Sequence, residues 1–150
     1  MDYWNLVDPI WESISIYDGP DVFLQQFGAV AEKPRTLFAA HWCQSEVCNG
    51  GFHQFFSNST GVLAPEASQA FRSLGMPQVG ALVEGAMSLL GPTFPRDRAV
   101  RQRALSGLRK SASDSLHAPF QALDEAFFQL IGVEAGGFET ASNSFAEERG

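Results

Sequence analysis

The run from Glu46 to Gly61, EVCNGGFHQFFSNSTG, constrains the fold more than any other part of the chain. It sets a glycine pair, Gly50 and Gly51, inside a stretch whose apolar spacing is otherwise helical. Glycine reaches backbone angles that a β-carbon forbids, so a helix arriving through Val47 is expected to end at Asn49, Gly50 and Gly51 in the left-handed conformation. Phe52, Phe55 and Phe56 should then begin a short new turn packed inward, closed by a turn at Asn58, Ser59 and Gly61. A helix that must stop and restart here implies a chain folded from short pieces.

The rest of the sequence agrees, since helical periodicity recurs from end to end and alternating strand patterns do not. Tyr3, Val7, Ile10, Ile14 and Tyr17 follow helical spacing, with Trp4 and Trp11 flanking them, which predicts a first helix stopped by Gly19 and Pro20. Pro20 opens a second helix with Phe23, Phe27 and Val30 inward, and Pro34 a third through Leu37, Phe38 and Trp42 to the glycine pair. Ala64 and Pro65 begin a helix carrying Ala67, Phe71 and Leu74 that Gly75 ends. Pro77 starts another on Val79, Leu82, Val83, Ala86 and Leu90, broken by Gly91, Pro92 and Pro95. A basic segment follows whose stripe of Val100, Ala104, Leu105 and Leu108 predicts a surface helix with its arginines in water. After a polar break at Ser111 to Ser115, Phe120, Leu123, Phe127, Leu130 and Ile131 mark a helix from near Pro119 to the glycines at 132, 136 and 137. Phe138, Ala141 and Phe145 mark a last one. The expectation is an all-α, compact single domain over 1–150, of about seven or eight short helices with no linker to divide it.

With 45% hydrophobic residues, the 150-residue chain can bury a real core. No basic segment leads an apolar run at the amino terminus, and no apolar run approaches the ~18 residues that a membrane span needs, so a soluble cytoplasmic protein without signal peptide is expected. The net charge is −7. It is unevenly spread: residues 1 to 32 carry Asp2, Asp8, Glu12, Asp18, Asp21 and Glu32 with no Lys or Arg, and residues 111 to 150 are acidic again. Between them, residues 96 to 110 hold Arg96, Arg98, Arg101, Arg103, Arg109 and Lys110 against Asp97. The basic helix is expected to neutralise a neighbour within the fold. Direct nucleic-acid contact is the less favoured reading, because a pI near 4.8 would repel phosphates.

The polar residues offer two kinds of chemistry. His41, Cys43, Cys48 and His53 are zinc-ligand types. In a helix, however, His41 and Cys48 stand about 10 Å apart along the axis while Cys43 projects elsewhere, so no metal and no cofactor is expected and the cysteines read as core fillers. Glu46, Asn49, His53, Gln54 and Asn58 offer a hydrolytic or transfer site with His53 or Glu46 as general base. No G-x-S-x-G elbow, phosphate loop or metal-binding carboxylate pair accompanies them. A buried Glu and several amides equally satisfy the N–H and C=O groups between two helix ends, and a structural role with no catalytic residue is the expectation.

The run Glu46, Asn49, Gly50, Gly51, Phe52, Gln54, Phe55, Asn58, Gly61 resembles the E-x-x-N-G-G-F-x-Q-F-x-x-N-x-x-G signature of the bacterial DNA-mimic-protein-like family. The similarity extends over most of the chain, through the Glu66 to Gly75 helix, the Arg-rich helix and the Leu123, Asp124, Phe127 region, and leaves the first thirty residues poorly constrained. It implies an all-α fold and a non-enzymatic, acidic interaction protein whose carboxylates replace a phosphate backbone on a basic regulator or nucleoid protein, a form of transcription regulation. Asp8, Glu12, Asp18 and Asp21, which lie outside the signature, are the first candidates for that surface, with Glu134, Glu139, Glu147 and Glu148 second. The partner is expected to be a basic DNA-binding protein or another protein, with no membrane and no direct nucleic acid, and a homodimer is admitted. The alternative is an immunity-type inhibitor or another protein-binding module in which acidity serves solubility. An enzyme with a polar site around Glu46 and His53 comes third.

Overall fold

The computed structural model describes residues 1–108 and 118–148. Its described residues form eight α-helices and four short 3-10 segments, with no strand. The helices are α1 (Trp4–Val7), α2 (Pro20–Gly28), α3 (Glu32–Ser57), α4 (Ala64–Ser73), α5 (Pro77–Ser88), α6 (Arg98–Leu108), α7 (Gln121–Leu130) and α8 (Phe138–Glu147). The long α3 is the spine. α1, α4, α6 and α7 all pack on it, α4 lies between α3 and α5, and α7 bridges α3 to α5. Phe23, Phe38, Phe52, Phe55, Phe56, Phe71, Phe120 and Phe127 fill the centre. Their offset and edge-to-face contacts, such as Phe52 on Phe127 at 5.6 Å and 85°, suit ring quadrupoles. None of the described helices is long and apolar enough to cross a membrane.

Prolines and glycines set most boundaries where the sequence placed them. Pro20, Pro65 and Pro77 each sit in the first turn of their helices, where a missing N–H costs nothing. The third helix starts two residues before Pro34, at Glu32. The polar break at Ser111 to Ser115, with Arg109 and Lys110, lies outside the described residues.

The amino terminus departs from expectation. Instead of one helix from Tyr3 to Tyr17 there is a single α turn, a 3-10 segment over Asp8–Ser13 and an extended stretch. Pro9 is the cause. It has no N–H to give to Asn5, and its ring crowds that carbonyl, so the α ladder stops at Val7. Beyond Ser13 the period changes to two: Ile14 and Ile16 are buried, while Tyr17 is 77% exposed. The segment is pinned by rings. Trp11 stacks on Trp42 at 5.0 Å, Trp4 lies 5.2 Å from Trp11, and Tyr3 packs edge-on to Phe138.

The basic helix also departs from its sequence reading. Val100 is exposed, and the buried face runs through Arg101 and Leu105, with Ala104 and Leu108 partly covered. Arg101 is only 1% exposed.

Candidate functional site

The signature forms a helix break built from both sides. Gly50 has φ −151° and ψ 18°, and Gly51 has φ 77° and ψ −179°. The expected left-handed helical end is therefore replaced at Gly51 by an extended conformation at positive φ that is essentially restricted to glycine. The chain runs on as a second arm from Phe52. That restart leaves the Phe52 N–H without an intrahelical acceptor, and the carboxylate of Asp124, on α7, takes it at 2.9 Å. A negative group at the start of a helix turn is favourable. The approach is close enough that a β-carbon on Gly51 would sit 2.6 Å from Asp124 Oδ2.

The amides and the acid of the signature occupy the other side. Glu46 Oε2 accepts from Gln54 Nε2 at 2.8 Å and from Asn58 Nδ2 at 3.1 Å, and Asn49 Nδ2 donates to Gln54 Oε1 at 3.2 Å. The carboxylate thus ties the arm before the break to the arm after it. Phe52, Phe55 and Phe56 are fully buried, and His53 is half-buried. A shallow depression beside the network is lined by Gln44, Ser45, Glu46, Cys48, Asn49 and Gln54. Cys48 is exposed as a residue, but partial desolvation of its thiol pushes it up from its usual range, which keeps it protonated and weakly nucleophilic at neutral pH.

The end of α3 explains the arginines. Its last carbonyls have no intrahelical donor, and cations are favoured there. Arg101 donates from Nε to Phe56 O at 2.9 Å and from Nη2 to Asn58 O at 2.9 Å, with Nη1 toward the Arg96 and Pro95 carbonyls. Arg98 Nε and Gln102 Nε2 share Ser57 O. Arg96 grips Glu66 with both terminal nitrogens at 2.7 and 2.8 Å and reaches Val62 O. Burial, with Arg98 and Arg96 adding, brings the Arg101 pKa down to about 10 against an opposing pull from Asp97. Gly61 completes the fit: a β-carbon there would lie 2.6 Å from Phe55 O and 2.8 Å from Arg101 Nε. The charge pattern suggested that the basic helix neutralises a neighbour; among the described residues Arg96 does so through Glu66, whereas Arg98 and Arg101 bond to carbonyls at the end of α3 and keep their charge.

His41 lies away from this break. Its Nδ1 is 2.8 Å from Tyr3 Oη, the rings of Trp4, Trp11 and Trp42 surround it, and burial lowers its pKa. Burial, helped by Asp2 and Glu139, pushes the Tyr3 phenol up to about 12. Cys43 is buried and Cys48 exposed, so the two point apart. Among the described residues no three His, Cys, Asp or Glu side chains converge into a metal-binding group.

The candidate acidic surface is distributed differently from the single helix envisaged. Asp8 and Glu12 lie on the 3-10 segment, Asp18 on the following loop and Asp21 in the first turn of α2. All four are exposed, and among the described residues none is in an ion pair. Asp18 accepts the Ser15 hydroxyl at 2.6 Å. Of the second set, Glu134 is committed to the fold, because its two oxygens accept the N–H groups of Gln78 and Val79 at 2.8 and 2.9 Å and so cap α5. Glu147 pairs with the amino-terminal ammonium, the Glu148 carbonyl accepts from Lys33, and Glu139 is exposed.

The sequence named Asp124 within the family resemblance and Arg101 within the basic segment, but gave neither a place in this site. Asp124 had a legible signal, as the single acid on the Phe120 and Phe127 face of its helix. Arg101 had none, since its partners are backbone carbonyls, two of them 45 and 43 residues away. The family model described as DMP19-like protein matches residues 28–144, which include the whole break, α4 to α7 and most of α8. No curated protein and no solved structure matches the chain.

Proposed function

Because the chain belongs to the DMP19-like family, we propose that it is a non-enzymatic, DNA-mimic-like protein that occupies the DNA-binding face of a basic regulator or nucleoid protein. Asp8, Glu12, Asp18 and Asp21 stand in for phosphates. One observation carries this assignment of residues: the four carboxylates are exposed and in no ion pair among the described residues, while Arg72 and Arg96 bond to Glu84 and Glu66 and Arg98 and Arg101 to the end of α3. No described cation is in an ion pair with these four acids, so the amino-terminal surface keeps its negative charge. These acids precede the family-matched residues, which makes them this chain's own contribution to partner choice. Such a surface acts by charge complementarity, which speeds encounter and fixes partner sign more than it slows release.

The test is binding to a basic DNA-binding partner captured from the native cell. Affinity should fall steeply as salt rises from ~50 to ~200 mM, because exposed charges are screened beyond about 10 Å at 0.1 M. Duplex DNA carrying the partner's site should compete. The combined variant Asp8→Asn, Glu12→Gln, Asp18→Asn, Asp21→Asn should lose association rate while keeping its fold. Binding indifferent to salt, to DNA and to the fourfold change would refute the proposal in favour of an apolar contact surface.

A further inference from the structure

The arginines at the entrance of α6 leave a positive charge that the fold does not cancel. A cavity of about 210 Å³ lies between the loop at 16–20 and that entrance, with Tyr17, Ser59, Arg96, Asp97, Arg98 and Arg101 among its lining residues. At about 30 Å³ per water in the liquid, this is room for roughly seven waters. Three guanidiniums meet at it. Arg101 gives its hydrogens to carbonyls, and a carbonyl satisfies an N–H without neutralising the cation. Two carboxylates offset them in part: Glu66 pairs with Arg96, and Asp97, whose Oδ1 accepts the N–H of Val100, lines the cavity, so three cations meet two anions.

Arg98 has capacity to spare. Its Nε is on Ser57 O, while its terminal nitrogens have no partner among the described residues and its side chain is exposed. A guanidinium fork matches the oxygens of a phosphate. We propose that this cavity binds the phosphate group of a small molecule, gripped by the Arg98 fork over the buried Arg101, with the Ser59 hydroxyl at its wall. The charge around it favours a compact ligand over a polymer. Asp18 belongs to the facing loop and Asp21 follows it, within a chain of net charge −7, so a long polyanion is repelled where a single phosphate can enter.

The experiment follows the side-chain Nε–H signals of Arg96, Arg98 and Arg101 by NMR in the full-length protein. Inorganic phosphate, chloride at matched ionic strength and a short DNA duplex are titrated separately. Phosphate should give saturable shifts at Arg98 and Arg101, and the other two should not. Arg98→Gln should weaken phosphate by about tenfold or more, the equivalent of losing one hydrogen bond to a charged group. This variant should retain the native amide spectrum, because Gln102 still caps Ser57 O. Arg98→Lys, which keeps the charge and loses the fork, should fall between. Arg103→Gln, on the same helix but outside the lining, should bind phosphate as the parent does. Shifts that do not saturate, an equal response to chloride, or equal weakening by the Arg98 and Arg103 variants would overturn the site. A stronger response to duplex than to phosphate would reassign it to nucleic acid and overturn the small-molecule proposal.

Discussion

Replacing Gly51 with alanine tests the helix break at its most demanding point. Two costs add. The backbone at φ 77° and ψ −179° lies in a region that only glycine occupies freely, and holding another residue there costs about 1–3 kcal/mol. The new β-carbon would also stand 2.6 Å from Asp124 Oδ2, which forces the carboxylate away from the Phe52 N–H. A hydrogen bond to a charged acceptor contributes about 1.5–3 kcal/mol. The expected loss is therefore roughly 3–6 kcal/mol, or a fall in melting temperature of at least ~6 °C for a chain of this size. Gly51→Val, with a branched side chain at the same angles, should not fold. Urea unfolding followed by far-UV circular dichroism gives the number. Repeating Gly51→Ala in an Asp124→Ala background removes the collision and should reduce the penalty to its backbone part. A Gly51→Ala midpoint within experimental error of the parent would refute the reasoning, and an unchanged penalty without Asp124 would refute the steric half of it.

Two further predictions concern stability. Arg101→Met should cost about 2–4 kcal/mol, because the Phe56 carbonyl loses its side-chain donor at ~1–3 kcal/mol and the Asn58 carbonyl, which keeps the Gly61 N–H, loses one bond of ~1 kcal/mol, and Arg101→Lys should recover only part, since one ammonium cannot replace the fork. Equal urea midpoints for parent and Met variant would contradict this. Burial holds the His41 imidazole below its ordinary value, so the unfolded chain takes up a proton near pH 6.5 that the folded chain still refuses. Stability should therefore fall as pH drops below about 6.5 and level off beneath the folded value. His41→Gln should flatten that part of a melting-temperature profile against pH.

Much of the fold was legible because its boundaries are covalent in origin. Pro20 and Pro77 fix φ whatever surrounds them and start their helices as read, and Gly75 takes without penalty the positive φ of 81° that follows α4. Pro9 carried the same information, but the periodicity of Tyr3, Val7, Ile10 and Ile14 masked it. The positions of the signature glycines were legible, whereas the conformation of Gly51 was not, because it depends on Asp124 arriving from α7. Hydropathy reads an arginine as solvent-facing, and Arg101 inverts this because four carbonyls, two at the end of α3 and two just before α6, replace its water. For the candidate surface, exposure of Asp8, Glu12, Asp18 and Asp21 followed from their charge. The capture of Glu134 by α5 did not, since it requires knowing that two turns distant in sequence are adjacent in space.

The three tryptophans of the chain are Trp4, Trp11 and Trp42, and all stand in one contact cluster where the amino-terminal segment meets α3. Tyr3 joins it through His41. The molecule therefore carries its intrinsic optical reporter entirely at one end, and the helix break has no indole of its own. Tryptophan emission registers the seating of the first thirteen residues, while circular dichroism registers the helices. Two spectrometers on one sample thus separate the region outside the family-matched residues from the core within them, with no label attached.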